Sequence, residues 1–479
     1  MARINTNVAS LIARTDLNRA QGSLNQSMQR LSSGLRINRG ADDPAGLIAS
    51  EALRSEMAGI TQAIDNSQRA ANVIATGEGA LSEVASLLVN IKQLTVQAAN
   101  TGGVSPDEIR ANQLQVDSAV ESITRIANVT NFAGLKLLNG SLDYNLSGVR
   151  NSAIDTVRVH NAQLGTSPNI PVSVNVLTSA RPAQLQWRNS TLTTNVTIEV
   201  KGSRGVETIS FRASTSTGVI LSAINQLKQA TGVSAMLLNS ANPDSGLVFY
   251  STGWGSKSMV SVAALSNSPA NSFTTVDMGG TPKHLTYGRD VAASINGGYV
   301  VGDGLNLSLN SNYLSMDLTL DPKMGANSTA FTITGGGAVF QLGPHVNINE
   351  QRSFGIQSIT ASNLGNSAAG FLSQIVTGGA YTLNTERAAS AAEIVDAAIT
   401  QVAALRGRLG AFEKNTLDTN MRSLEVSLEN VTASESNIRD ADFAAETAAM
   451  TRGQILISAA TSVLAIANQT PQSVLQLLK

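Results

Sequence analysis

Apolar residues recur at spacings of four and three near both ends of the chain, a period that dictates long helices in need of partners. Leu53, Met57, Ile60, Ile64, Ser67, Ala71 and Ile74 form one series, and Leu81, Val84, Leu88, Ile91 and Thr95 resume it after a break. Toward the other end Ala398, Val402, Leu405, Leu409 and Phe412 obey the same rule. Leu417, Met421, Leu424, Leu428 and Val431 continue it after a shift of register. Such series are coiled-coil seams. The spacing therefore assigns Leu53, Met57, Ile60, Ile64, Leu88, Ile91, Leu405, Leu409, Phe412, Leu424 and Leu428 to the seam of a helical rod. A helix from Pro44 to Asn100 would be roughly 80 Å long, against ~30 Å for a small domain. The chain is expected to build something elongated.

Local signals place the ends of these helices. Val8, Leu11, Leu17, Leu24, Met28 and Leu31 mark a first helix, broken by Ser32 to Asp43. Asp43 before Pro44 reads as an N-cap with proline at the first helical position. Asn100-Thr101-Gly102-Gly103 ends the long helix, and Ser105-Pro106-Asp107-Glu108 opens another with a capping box. Ile109, Val116, Val120 and Ile123 supply its buried face. No aromatic residue occurs in residues 1–131, so packing there rests on small and aliphatic side chains.

Beyond Asn139-Gly140 the period falls to two. Val196, Ile198 and Val200 alternate, a turn runs from Gly202 to Gly205, and Ile209 and Phe211 complete a hairpin. A short helix with Ile220, Ala223, Ile224 and Leu227 on one face stops at Gly232. Strands return at Leu247 to Phe249 and Val260 to Val262. Leu305, Leu307 and Leu309 then pair across Asn310-Ser311-Asn312 with Leu314, Met316, Leu318 and Leu320. Gly335-Gly336-Gly337 reads as a turn or linker, since no helix pattern opens behind it. From about Thr385 the helical period returns and persists, and Thr470-Pro471 is expected to cap a last turn containing Val474, Leu475 and Leu478.

The fold class is therefore multi-domain: an all-α, coiled-coil-like rod formed by N- and C-terminal helices, with a strand-rich (α+β or all-β) central outer region. The 479 residues suggest about three domains. Formal net charge is −1 with 14% charged residues, so neither nucleic acid nor an anionic membrane is implied as a partner. Charge is nevertheless uneven. Arg3, Arg14, Arg19, Arg30, Arg36 and Arg39 face only Asp16 within residues 1–40, whereas Glu425, Glu429, Glu435, Asp440, Asp442 and Glu446 face only Arg439 within 425–446. Solvated helix faces and an electrostatic match between the two segments are equal readings. With no cysteine, disulfide and thiol chemistry are excluded. No segment has the pattern of a secretory signal peptide or a run of eighteen apolar residues. The most apolar stretch, Ile455 to Ala467, reads as a buried helix.

Catalytic chemistry finds no footing in the pattern. His160, His284 and His345 are isolated in the central region and read as surface or turn residues, and none lies in a His-Glu-x-x-His helix. Asp42-Asp43 sits at a helix start, where capping accounts for it. No nucleophile elbow or phosphate loop stands in the right context. The expectation is a non-enzyme with no catalytic residue, cofactor or metal.

Longer motifs stand at both ends. Gln29-Arg30-Leu31-Ser32-Ser33-Gly34-Leu35-Arg36-Ile37-Asn38 and Asp42-Asp43-Pro44-Ala45-Gly46-Leu47 are similar to the N-terminal signature of a known family, the bacterial flagellins. Asn131-Phe132-Ala133-Gly134-Leu135-Lys136-Leu137-Leu138 resembles the segment closing its N-terminal helices. Leu405-Arg406-Gly407-Arg408-Leu409-Gly410-Ala411, Glu435-Ser436-Asn437-Ile438-Arg439-Asp440-Ala441-Asp442 and Ala467-Asn468-Gln469 resemble its C-terminal signature. The likeness covers roughly residues 1–140 and 382–479. More weakly, Val196 to Val262 resembles an insertion module of flagellins and of the filament cap protein.

The resemblance implies a structural subunit that self-assembles into the flagellar filament for motility. It implies an extracellular location reached by type III export without a cleaved signal peptide. The domains expected on this basis are 1–43 and 436–479 for an inner helical domain and 44–175 and 381–435 for the rod. Residues 176–285 would be an outer insertion domain and 286–380 a second strand-rich outer segment. Val8, Leu11, Leu17, Leu24, Leu31, Ile455, Ala459, Val463 and Ile466 would pack subunits together, because a one-sided apolar stripe is buried by neighbours in a helical array. Partners implied are further copies of the chain, an export chaperone at the C-terminal helices, and the junction and cap proteins. A host innate receptor would contact the helices at Leu88 to Gln97 and Ile109 to Val120. Leu94 matches the sensed pattern there. Asn90 stands where sensed flagellins carry arginine and Gln115 where they carry glutamate, which implies weak recognition. Alternatives are a hook–filament junction protein, and a filament subunit with an adhesive outer domain.

Overall fold

The computed structural model describes residues 6–100, 102–165, 167–265, 273–384 and 387–477, with side chains up to 470. Of the residues named above, Arg3, Thr101, Thr385 and Leu478 lie outside the described residues, as do the side chains of Val474 and Leu475. Eight α-helices are described: α1 (Val8–Ser33), α2 (Pro44–Ala98), α3 (Pro106–Val129), α4 (Thr217–Gln226), α5 (Lys228–Thr231), α6 (Ala388–Phe412), α7 (Asp418–Arg439) and α8 (Phe443–Leu477). The order of helices, strands and helices is the one the periods predict.

The chain divides into two compact units. The first comprises Met1–Ala71, Gln341–Gln351 and Phe412–Lys479. Asn7 caps α1 by accepting from the Ser10 N–H, and α2 opens where the Asp43 carboxylate accepts from the Gly46 N–H at 2.9 Å. In the turn between them, the N–H groups of Arg39 and Asn38 hold the Asp42 carboxyl below its ordinary range. Ile60, Ala63 and Leu424 are buried together, with Ile64, Leu428 and Val431 packed on them, so α2 and α7 meet through these side chains. At the start of this unit's C-terminal half the backbone widens into a π-helical segment, Glu413–Leu417. A π turn holds one residue more than an α turn. This is the physical form of the register shift, since the buried Leu409 and Leu417 are eight apart where a heptad would leave seven.

The second unit comprises Asn72–Phe340 and Arg352–Ala411. Its helical layer is sealed by Leu81, Val84, Leu88 and Ile91 of α2, Val116, Val120 and Ile123 of α3, and Ile394, Val402, Leu405 and Leu409 of α6, all fully or nearly buried. The predicted capping box is present, with Ser105 Oγ accepting from Glu108 N–H and the Glu108 carboxylate accepting from Ser105 N–H at 2.6 Å.

Two strand cores follow. One gathers Leu185, Trp187, Val196, Ile198, Val200, Ile220, Ile224, Phe249, Val260 and Val262, with Trp187 stacked on Phe273 at 5.3 Å between centroids. It holds the predicted hairpin, Val196–Gly202 with Val206–Phe211, and the short helix ended by left-handed Gly232. The other gathers Ile154, Val159, Val172, Val174, Leu307, Met316, Leu318, Phe331 and Ile333. It contains the predicted Asn306–Asn310 and Leu314–Leu320 pairing, extended by Ile154–Ala162.

Several expectations are modified. The boundary expected at 175–176 falls inside the strand Ile170–Thr178, which pairs with Ala292–Ile295 and Ser328–Gly336, so segments distant in sequence share one core. Gly335 and Gly336 continue a strand, bulged against Tyr144–Ser147, where a turn or linker was expected. Glycine is required there, for Gly336 has φ +93° and an added Cβ would lie 2.2 Å from the Asp143 carbonyl oxygen. His160 is not a surface residue but a strand residue with a largely buried ring, its Nε2 2.7 Å from Asp317 Oδ2. Nor does Pro471 start a new turn, because α8 runs through it.

Candidate assembly surfaces

α8 stays helical through Pro471 because the bond the proline cannot make is replaced. A proline lacks the N–H that would reach the carbonyl four residues back. That carbonyl, on Ala467, accepts from the Thr470 hydroxyl at 2.9 Å and from the Asn7 side-chain amide at 2.7 Å. The same region adds Ser10 Oγ to Asn468 Oδ1 at 2.8 Å. α1 is thereby tied to the Ala467-Asn468 motif at one end of its pairing with α8. At the other end Arg30 and Glu446 form a half-buried ion pair at 2.8 Å, the Arg36 N–H donates to Arg439 O, and Ala441 N–H to Gly34 O. Among the described residues, the opposite charges of the two segments meet in one close pair, Arg30 with Glu446. Between these ties the helices touch through small residues, and a groove of about 540 Å³ runs along them past Ala13, Ala20, Ser27, Gly453 and Ala460. A Cβ added to Gly453 would come within 3.4 Å of Leu24 Cβ.

The pairing uses only one side of each helix. Leu17, Leu24 and Leu31 are half-buried by it. Val8, Leu11, Ile455, Ala459, Val463 and Ile466 are exposed, Ile455 by 64%, and Ile12, Leu456 and Phe443 join them. The stretch from Ile455 to Ala467 is consequently not a buried helix within one chain. Phe443–Thr470, and separately Ala388–Arg439, are long and apolar enough by length and composition to cross a membrane. Continuous apolar surface of this kind marks a site for another macromolecule. The sequence predicted the stripe but not its division into a side facing α1 and a side facing outward.

The rod residues are placed as follows. Ile60, Leu88, Ile91, Leu405, Leu409 and Leu424 are buried, and Leu53, Met57, Ile64, Phe412 and Leu428 are half-buried. Of the three residues in the proposed receptor surface, Asn90 and Gln115 are exposed, but Leu94 is only 7% exposed and packs inward. The heptad explains this, since Leu94 follows Ile91 on the seam side of α2. Within 88–97 and 109–120, Val89, Val96 and Leu114 are large apolar residues that are exposed, a feature not singled out from sequence.

The sequence of the terminal regions has counterparts in known proteins. The family model for the bacterial flagellin N-terminal helical region matches residues 4–143, and that for the C-terminal helical region matches 392–478. The flagellin hook IN motif matches residues 197–253, within the stretch resembling an insertion module. Flagellin from Salmonella rubislaw is 28% identical over 510 residues, covering 99% of each chain. B-type flagellin from Pseudomonas aeruginosa is 29% identical over 536 residues, again covering 99% of both. Among solved structures, flagellar hook associated protein-3 from Legionella pneumophila covers 81% of this chain and 98% of its own, at 12% identity and a TM-score of 0.31.

Proposed function

The chain belongs to the bacterial flagellin family, a family of structural filament subunits, and on that premise we propose which of its surfaces build the flagellar filament. α1 and α8 form the inner helical domain. Val8, Leu11, Ile455, Ala459, Val463 and Ile466 are covered by neighbouring copies, while Leu17, Leu24 and Leu31 hold the pair together. The observation that carries this reading is the outward apolar stripe on a helix pair already tied at both ends. Such a stripe, repeated on identical subunits through contacts that do not close, produces a helical polymer. The seam residues of α2, α6 and α7 keep the rod stiff, and the two strand cores lie on the outside. The inner domain is assigned to 1–43 and 436–479 and the rod to 44–140 and 381–435. The outer region comprises one core around 183–273 and one joining 144–180 to 291–333.

The exposed stripe of α8 also suits an export chaperone, which would shield it before assembly. Export without a cleaved signal peptide, extracellular placement and contact with junction and cap proteins complete this reading. Asn90 and Gln115 are proposed as the positions that weaken recognition by a host innate receptor, with Leu94 contributing only through packing. The test is truncation. Chains lacking residues 1–31 or 453–479 are expected to stay folded in the second unit by circular dichroism and to form no fibres when seeded. Normal fibres from either truncation would contradict the assignment.

A further inference from the structure

The sheet formed by Ile154–Ala162, Leu314–Leu320 and Asn306–Asn310 has two unlike faces. One rung, Leu307 with Leu318 and Val157, belongs to the core. The rungs on either side of it, Ser308 with Asp317 and Arg158, and Asn306 with Thr319 and Thr156, point the opposite way. The polar face of such a sheet ordinarily looks onto bulk water. This one instead lines a cleft of about 840 Å³, which Ala397, Thr400, Gln401 and Ala404 of α6 also line. These four residues share one helix face, and all but Gln401 are small, so the space is left open. Trp254 adds an aromatic wall. A volume of this order lies within the roughly 300–1,000 Å³ of small-molecule sites.

The charges in the cleft are mostly consumed. Lys257 pairs with Asp303, and Asp317 is engaged by His160. Arg158 is half-buried, and burial lowers its pKa. Among the described residues no carboxylate stands within 4.0 Å of its guanidinium, whose donors are left for something in the cleft. Asp155 accepts from Ser367 and Thr156 through one carboxylate oxygen, Oδ2. What remains is one guanidinium, one carboxylate oxygen, amides, hydroxyls and an indole, and the charged side chains lining the cleft, Arg158 and Lys257 against Asp155, Asp303 and Asp317, sum to −1. That set suits neither a phosphate nor an apolar ligand. It matches a molecule with vicinal hydroxyls and a flat C–H face.

We propose that this cleft is a binding site for a neutral saccharide of one or two rings, whose C–H face lies on Trp254 and whose hydroxyls are taken by Arg158 and Asp155. The proposal is independent of the assembly surfaces, because none of these residues lies on α1 or α8.

Saturation-transfer NMR on the full chain tests it, with methyl glycosides of glucose, galactose and mannose, plus lactose and cellobiose, each at millimolar concentration. Transfer to at least one probe is expected. Trp254→Ala is expected to weaken that binding about tenfold, and Ala404→Trp, which fills the cleft from α6, to abolish it. Arg158→Gln is the additional variant if Ala404→Trp fails to fold, and a comparable loss is expected from it. No transfer to any probe would overturn the proposal. So would binding that survives the substitutions, or tighter binding of glucose 6-phosphate than of the neutral sugars.

Discussion

Replacing Leu409 by aspartate probes the helical layer where it is most sealed, because Leu409 is 0% exposed. Truncation to alanine alone would cost roughly 2–5 kcal/mol from lost transfer energy and the cavity left behind. The aspartate adds a carboxylate with no cation designed to meet it. If burial raised its pKa by about three units, the charged form would cost about 4 kcal/mol more at neutral pH. The sum approaches the whole stability of a domain, roughly 5–15 kcal/mol, so the helical layer of Leu409→Asp is expected to be largely unfolded near neutral pH. The sign of the pH dependence follows from which state holds the proton. A raised folded-state pKa means the folded chain binds more protons than the unfolded one, so stability falls as pH rises through the interval between the two values. Lowering the pH from about 7 to about 5 should restore about 2 kcal/mol, because a folded-state pKa near 7 leaves the group already half protonated at the start. Leu409→Asn, similar in shape but without the charge, should show no such recovery. Urea titrations of the monomers by far-UV circular dichroism at both pH values provide the measurement. A gap between the aspartate and asparagine variants that does not change with pH would show that the side chain reaches water, and would refute the seam assignment at this position.

Gly453→Ala is expected to leave filament stability unchanged or raise it by up to about 1 kcal/mol, because helix propensity improves and the new methyl makes ordinary contact with Leu24. Gly453→Leu should lower it by about 1–3 kcal/mol through overpacking; thermal dissociation followed by light scattering separates the two, and equal losses would contradict the close approach of α1 and α8. Asn90→Arg combined with Gln115→Glu is expected to strengthen host-receptor signalling from a weak starting point, each restored charge-assisted hydrogen bond contributing roughly 1.5–3 kcal/mol. A reporter-cell titration checks this, and an unmodified chain as potent as a strongly sensed flagellin would exclude it.

The helices were legible because their signals are local. Asp43-Pro44, the Ser105–Glu108 box and the series through Ile60, Leu88, Leu405 and Leu409 specify start, face and length within a few turns of chain. Even the one-residue slip before Leu417 was visible as a shift of register, although the π geometry that absorbs it was not. The sheets were legible only in part. A period of two says which face of Ile170–Thr178 is apolar, but not that its partners lie at Ala292–Ile295 and Ser328–Gly336. The cleft was invisible for the same reason, since Arg158, Trp254 and Gln401 come from segments about a hundred residues or more apart in sequence. His160 and Pro471 were misread because each depends on one distant atom, Asp317 Oδ2 for the histidine and Asn7 Nδ2 for the carbonyl behind the proline.

Two helices that meet through small residues could slide past each other by a turn, about 5.4 Å, with little change in apolar contact. Proline at 471 removes that freedom. It turns the Ala467 carbonyl, which a helix would ordinarily consume, into a spare acceptor at a single height on α8, and Asn7 finds it. Arg30 and Glu446 set a second mark at the far end of the same overlap. The two marks act as a vernier: only one alignment satisfies both, and a slip of one turn would forfeit the two bonds together. In a polymer whose every subunit repeats the pair, an error of one turn would be copied as a step of fixed height along the inner wall. A proline that cannot donate a hydrogen bond thereby serves as a length standard.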